Sequence, residues 1–213
     1  MIYILTGGPA TGKGTRSDIL ANALEIPHIS TGDMLRNVAK KNLEIREKLS
    51  NGELISDEII TDLLEQRILE DDCKEGFVLD GYPRTLKQAE LLDVLLAKYG
   101  RAVTKVMELT IPDELAFKRI LGRSKCTHCG ASYGIDFPPK RKGRCDICGG
   151  HLAVRTDDTA ETLSKRIETY RNNSKPILDY YRDKGILMTV DASAHPERVV
   201  EEAQMEIWKE SLK

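Results

Sequence analysis

The stretch Gly7–Thr15, GGPATGKGT, directly follows the apolar run Ile2–Thr6, IYILT, and its reading decides the fold. A short apolar run leading straight into glycines reads as a buried strand that turns into a helix. Gly7, Gly12 and Lys13 satisfy the GxxxxGK spacing of a phosphate-binding loop, in the strand-to-helix context that this motif requires. The glycines let backbone N–H groups turn inward, the helix N-terminus adds partial positive charge, and Lys13 reaches the outer phosphates. One detail departs from the commonest form: Gly14 follows Lys13, and the hydroxyl comes one place later, at Thr15. The loop predicts a nucleoside triphosphate ligand without separating a kinase from a GTPase or an ATP-driven machine.

Outward from this loop, short apolar segments alternate with helical patterns. Strands are expected at 2–6, 27–30, 77–80, 105–110 and 186–191, and helices at 14–24, within 31–50, and at 57–71, 85–98, 112–123 and 159–183, with a last one from Pro196. Such alternation predicts an α/β fold with a parallel sheet of about five strands covered by helices on both faces. The pattern breaks over residues 122–158, a segment rich in Cys, Gly, Pro and basic side chains, which reads as an insertion.

Composition agrees. A chain of 213 residues suits one sizeable α/β domain with insertions, and its 40% hydrophobic and 31% charged residues are those of an ordinary globular protein, which argues against disorder. A formal net charge of −2 offers no global attraction to nucleic acid or an anionic membrane. The N-terminal apolar run is too short for a signal peptide or membrane span, so a cytoplasmic location is expected. Nothing in the sequence demands an oligomeric partner, and a monomer is expected.

Cys126, Cys129, Cys145 and Cys148 form CxxC, fifteen intervening residues, and a second CxxC, the spacing of a tetrahedral zinc ribbon. Gly130 and Gly149 directly follow the second ligand of each pair, as a tight knuckle requires. Four thiolates complete the coordination sphere, so the expected zinc is structural, and His128 is an exposed knuckle residue instead of a ligand. The segment has too few large apolar side chains to order itself, so metal binding would supply its folding free energy. Cys73, outside either pair, reads as a buried thiol. A rival reading takes the ribbon and Pro138–Arg144, PPKRKGR, as a nucleic-acid contact switched by ATP. Three Phe and one Trp leave that reading without a stacking platform.

Arginines recur beside glycine turns and helix ends: Arg36 in STGDMLR, Arg84 in LDGYPRT, Arg119 and Arg123 four apart, and Arg155 and Arg166 around the end of the insertion. A guanidinium fork matches phosphate oxygens, and phosphoryl transfer is mostly positioning and charge neutralisation, so six arginines beside a phosphate loop suggest a site for two phosphorylated ligands. Asp157 and Asp158 read as lid anchors or as an N-cap for the helix near Thr159, and His195–Pro196 as a turn.

The motifs GGPATGKGT, STGDMLR, FVLDGYPRT with Gln88, PDEL, GRSKCTHCGASYG, and RTDD before KRI resemble, in order and over nearly the whole chain, the adenylate kinases among the nucleoside monophosphate kinases. The GKGT ending is the form this family uses. The resemblance implies a P-loop kinase core (1–29, 60–121 and 159–213), a helical monophosphate-binding insertion (30–59) and a zinc-binding lid (122–158). It implies reversible transfer from Mg·ATP to AMP, yielding ADP. ATP would lie on Ala10, Thr11, Gly12, Lys13, Gly14 and Thr15, with Arg119 on the adenine, Arg123 on phosphate, and Ser132, Tyr133 and Ala194 nearby. AMP would meet Thr31, Arg36, Asp57, Glu58, Ile59, Gly81, Tyr82, Pro83, Arg84 and Gln88. Arg155 and Arg166 would reach the transferring phosphate, and Asp80 the outer shell of hydrated Mg²⁺. Ala10 stands where the family most often has Gly, and a positive φ there would strain it by roughly 1 kcal/mol. UMP, CMP or GTP in place of the adenine nucleotides would keep the same fold and chemistry, because base selection rests on a few contacts.

Overall fold

The computed structural model describes residues 1–213 apart from 52, 54, 155–157, 194, 195, 198–200, 203, 204 and 206–213. The chain runs through β1 (Ile2–Gly7), α1 (Lys13–Leu24), β2 (His28–Ser30), α2 (Thr31–Ala39), α3 (Leu43–Ser50), α4 (Asp57–Ile68), β3 (Phe77–Asp80) and α5 (Leu86–Ala97). It continues through β4 (Lys105–Thr110), α6 (Asp113–Leu121), β5 (Ser124–Cys126), β6 (Ser132–Tyr133), β7 (Leu152–Ala153), α7 (Ala160–Asp183) and β8 (Leu187–Asp191). Strands β2-β3-β1-β4-β8 pair in that order as a five-stranded parallel sheet, and β6-β5-β7 make a small antiparallel one.

Both faces of the main sheet are covered, and its central strand β1 is accordingly apolar and buried at four consecutive positions, Ile2 to Leu5, not at alternate ones. Ile2 and Ile4 of β1 point to the side that holds Phe77, Leu79 and Val106 with Leu64, Leu92 and Tyr181 from α4, α5 and α7. Tyr3 and Leu5 point the other way, to Val78, Met107 and Val190 with Leu20 and Ala21 of α1. The register that aligns these layers puts Ile4 opposite both Leu79 and Val106.

Helix starts follow capping chemistry. Asn42, Thr85 and Thr159 each accept a hydrogen bond from the backbone N–H three residues on, at 3.1 Å, and so open α3, α5 and α7. Helix α1 differs. Its cap is Gly12 at φ 75°, with no side chain accepting from the first turn, so those N–H groups are left for a ligand.

Several boundaries depart from expectation. The helix foreseen over 57–71 ends at Ile68, because Arg67 is held by Asp72 at 2.7 Å and folds the chain into a 3-10 turn at Asp71–Cys73 that buries Cys73. Helix α6 stops at Leu121, so Arg123 is not on a helix face with Arg119 but in the connector beyond it. Asp158 does not cap α7; Thr159 does, and Asp158 turns toward arginines. Pro196 and Glu197 form a turn, and Glu201 and Glu202 are helical, while much of the expected last helix falls outside the described residues.

Ala10 has φ 65°, in the left-handed region. The strain expected from its β-carbon is therefore present. Replacing Ala10 with Gly should stabilise the chain by up to about 1 kcal/mol in urea unfolding, since relief of the clash outweighs the added flexibility of the unfolded chain. Destabilisation by Ala10→Gly would show that the loop needs this β-carbon.

Candidate active site

The order of the main sheet places β1 between β3 and β4, where the chain reverses its direction of winding, and ligands of such sheets bind beyond the strand ends at this point. The loop from Gly8 to Gly12 leaves β1 here. Lys13 folds back across it, its Nζ donating to the carbonyls of Gly7 and Gly8, both at 2.9 Å. Loss of water pushes the ammonium down to about 8; Asp80 opposes this, and the charges of Arg84, Arg166 and Arg123 add to it. A phosphate offers Lys13 what those carbonyls do not, a full negative charge.

Asp80 ends the neighbouring strand β3, its side chain 13% exposed and 3.8 Å from His28 Nε2. The other imidazole nitrogen of His28 lies 2.7 Å from Asp18. Burial opposes charge on His28, but the two carboxylates outweigh it and raise the imidazolium to about 9. Burial likewise opposes charge on Asp80, yet His28, Lys13 and Arg84 together keep the carboxyl below its usual range. The Thr31 hydroxyl donates to the Asp80 carbonyl at 3.1 Å. Gly81, at φ 84°, has no room for a β-carbon, which would stand 2.7 Å from the Thr31 hydroxyl. This close turn aims Arg84, whose Nε donates to the Gly81 carbonyl at 2.7 Å, into the cleft.

The remaining arginines are each held on an oxygen. Arg36 donates to Asp33 through Nη2 at 2.7 Å and Nε at 3.1 Å. Burial opposes it, but Arg36 and Lys125 draw the Asp33 carboxyl down to about 2. Lys125 comes from β5, so Asp33 also joins α2 to the cysteine-rich segment, at 3.2 Å. Arg123 grips Asp158 through two nitrogens at 2.5 and 2.7 Å, with Arg166 at 3.7 Å from the same fully buried carboxylate. Arg119 stands 2.7 Å from Asp136 and donates to the Ala192 carbonyl at 2.9 Å.

Two cavities meet at these cations. A cleft of about 720 Å³ runs along the phosphate loop and is lined by Ala10, Gly12, Lys13, Gly14, Thr15, Asp80, Arg119, Arg123, Ser132 and Tyr133 among others. A smaller cavity of about 60 Å³ lies between α2 and α4. Gly32, Arg36, Gly81, Arg84 and Arg166 line both. The smaller one is otherwise walled by Leu35, Leu49, Glu53, Ile55, Ile60 and Gln88, most of which sequence reading passed over because an apolar residue on a helix gives no sign that it faces a ligand.

Other expected site residues surround these cavities, and Tyr82 and Pro83 line a further one with Lys13, Arg84 and Arg166. Asp57, Glu58 and Ile59 do not line the smaller cavity; Asp57 instead accepts from Gln88 at 2.8 Å, and Gln88 accepts from the Arg84 N–H at 2.6 Å, so the pair braces the arginine turn. The Tyr82 side chain is 1% exposed, with its hydroxyl 3.0 Å from that of Thr61, and Pro83 follows through a cis bond. Thr11 is buried, donating to the Gly8 carbonyl. Arg155 and Ala194 lie outside the described residues.

The four cysteines of the insertion converge as their spacing demands. Their sulfurs lie within 4.8 Å of one another, with Cys126 to Cys148 and Cys129 to Cys145 both at 3.5 Å. Thiolates bound at about 2.3 Å around a tetrahedral ion stand about 3.8 Å apart, so the set fits a metal ion of that kind. Gly130 and Gly149, at φ 78° and 72°, close the two knuckles. The Tyr133 hydroxyl packs 3.4 Å from Cys145, which ties the cleft wall to the thiol cluster. Among the described residues no helix is long and apolar enough to cross a membrane.

Comparison with known proteins agrees with this geometry. The family model described as "Adenylate kinase" matches residues 5–186. The adenylate kinase of Caldicellulosiruptor saccharolyticus is 45% identical over 194 residues, 89% of this chain and 90% of its own length. Those of Archaeoglobus fulgidus and Clostridium tetani are 42% and 41% identical, covering 99% and 94% of this chain and 95% of each relative. With a phosphate loop and an arginine-lined double cavity in the expected order, the chain belongs to the adenylate kinase family.

Proposed function

We propose that the chain transfers the terminal phosphoryl group of Mg·ATP to AMP, reversibly and in line, giving two molecules of ADP. The observation that supports this most is the wall shared by the two cavities, where Arg36, Arg84 and Arg166 face both. ATP occupies the larger cleft with its phosphates on the α1 N-terminus and Lys13, and AMP the smaller cavity. An AMP phosphate oxygen attacks the γ-phosphorus as the bond to the β,γ-bridging oxygen breaks, and ADP leaves on the donor side. No side chain serves as nucleophile. Lys13 exchanges two neutral carbonyls for phosphate oxygens, while Arg84, Arg123 and Arg166 neutralise charge that is spread over the moving group. Arg155 takes the same part in this reading.

Magnesium bound with ATP would supply charge neutralisation at the outer phosphates. Asp80 suits it as a single carboxylate beside Lys13, in keeping with an ion that retains its waters. We infer that residues 122–158 act as a lid over the donor, ordered by structural zinc on Cys126, Cys129, Cys145 and Cys148, and that residues 30–59 bind the acceptor. Lid closure excludes water that would otherwise take the phosphoryl group.

The test of function is ADP formation from Mg·ATP with AMP, GMP, CMP or UMP, and with no acceptor. Strong preference for AMP is expected; preference for a pyrimidine would overturn the acceptor assignment. Lys13→Ala and Arg84→Ala should each lower kcat by at least about a hundredfold with unchanged circular dichroism. Near-normal turnover in either would sink the mechanism.

The lowered Lys13 pKa gives a pH test. Its ammonium begins to lose its proton as pH rises through about 8, well below the unfolded value of 10.5. Bound phosphate favours the charged form, so ATP binding above pH 8 takes up a proton and weakens as pH rises. In titration calorimetry at about pH 8.5, the binding enthalpy should vary with the ionisation enthalpy of the buffer. A buffer-independent enthalpy would contradict this. Removing the thiolate-bound metal, by chelation or by Cys126→Ser with Cys129→Ser, should release zinc and lower the melting temperature while α1 and the main sheet stay folded. Unchanged metal content in the double variant would show that these thiols are not the ligands.

A further inference from the structure

Arg16 is a buried cation that the transfer reaction above does not use. It lies on the first turn of α1 and is 3% exposed, yet it forms part of the lining of the large cleft. Its guanidinium joins two segments far apart in sequence. Nη1 donates to the Thr11 carbonyl of the phosphate loop at 2.9 Å, and Nη2 to the Ala192 carbonyl, just past β8, at 2.8 Å. Arg119 donates to that same Ala192 oxygen at 2.9 Å.

Two like charges on one carbonyl oppose each other. Burial and the charge of Arg119 lower the Arg16 pKa to about 10, with Asp136 and Asp191 acting the other way. The loop also gives up a side chain to make room: a β-carbon on Gly12 would stand 2.4 Å from Arg16 Nη1. The head group therefore occupies the space beneath the turn that leads into α1, braced from the phosphate side and from the end of β8.

Arg16 shares the lining of the donor cleft with Lys13, Gly14 and Thr15 of the phosphate loop and with Arg119, Ile120, Phe137 and Pro196. Arg119 rests on the Ala192 carbonyl, so the separation of Ala192 from the phosphate loop sets where Arg119 and its neighbours in the cleft wall stand relative to Lys13.

We propose that Arg16 is a positioning residue for the donor nucleotide: by tying Thr11 to Ala192, the carbonyl on which Arg119 also rests, it holds Arg119 in register with the phosphate loop, and so sets the preference for one purine over another. The proposal rests on the larger cleft being the donor site. It differs from a structural staple, because a staple contributes to stability without contributing to the choice of base.

The experiment measures kcat and KM for ATP, GTP and AMP, with the melting temperature, in the full chain and in Arg16→Met, Arg16→Gln and Arg16→Lys. Arg16→Met should raise KM for ATP about tenfold and shrink the preference for ATP over GTP, with KM for AMP within about twofold of the wild type, as expected when charge-assisted bonds that position one ligand are removed. Arg16→Lys, which keeps one charged donor, should recover part of both effects. If Arg16→Met does not fold, Arg16→Gln and Arg16→Lys carry the same comparison. A lowered melting temperature with unchanged KM for ATP and unchanged base preference would overturn the proposal in favour of a staple. A wild-type chain that makes no ADP from ATP and AMP would instead remove the donor-site reading, and this proposal with it.

Discussion

Mutual repulsion among cations at one edge of a sheet is the constraint around which this molecule is built. Arg84, Arg166 and Arg123 are close enough to Lys13 to disfavour its charge, and burial disfavours it further. Such a cluster would fly apart on flexible loops. Here each member rests on an oxygen that fixes its head group: Lys13 on loop carbonyls, Arg36 on Asp33, Arg84 on the Gly81 carbonyl, Arg123 on Asp158. These oxygens are mostly neutral or already shared, so a polyanion that enters the cleft meets cations aimed but not saturated. Preorganised charge of this kind is what phosphoryl transfer requires, because the chemistry asks for neutralisation in place and not for a covalent partner.

The main sheet was legible because its strands and its phosphate loop carry local signals. IYILT before GGPATGKGT sets strand, turn and helix within fifteen residues, and the apolar segments FVLD and KVMELT pair on either side of it. The thiol cluster was legible for a similar reason. Two CxxC pairs followed by Gly130 and Gly149 encode the knuckles locally, and the fold brings their four sulfurs within 4.8 Å of one another.

What escaped notice was long-range. Nothing near Asp158 in sequence says that its side chain will be fully buried between Arg123 and Arg166, and its place beside a helix start left it readable as an anchor or as a cap. Nothing near Arg16 in sequence shows that Ala192, 176 residues on, accepts a hydrogen bond from it. Gln88, expected at the acceptor site, does line the smaller cavity, but nothing in its local sequence shows that its amide also braces Arg84 and Asp57. Apolar walls such as Leu35 and Ile60 are equally silent in sequence, since core and pocket draw on the same residue types.

The central place of β1 has a consequence for how the molecule breathes. Its amides and carbonyls are paired on both sides, to β3 and to β4, and Ile4 and Leu5 are almost without contact with water. To expose them to solvent exchange, the sheet must come apart as a whole, whereas β5, β6 and β7, two or three residues each, can open locally. Deuterium should therefore enter the cysteine-bearing sheet long before it enters the strand from which the phosphate loop hangs. The fold thus separates a slow, global opening beneath the phosphate loop from fast, local openings in the cysteine-bearing sheet.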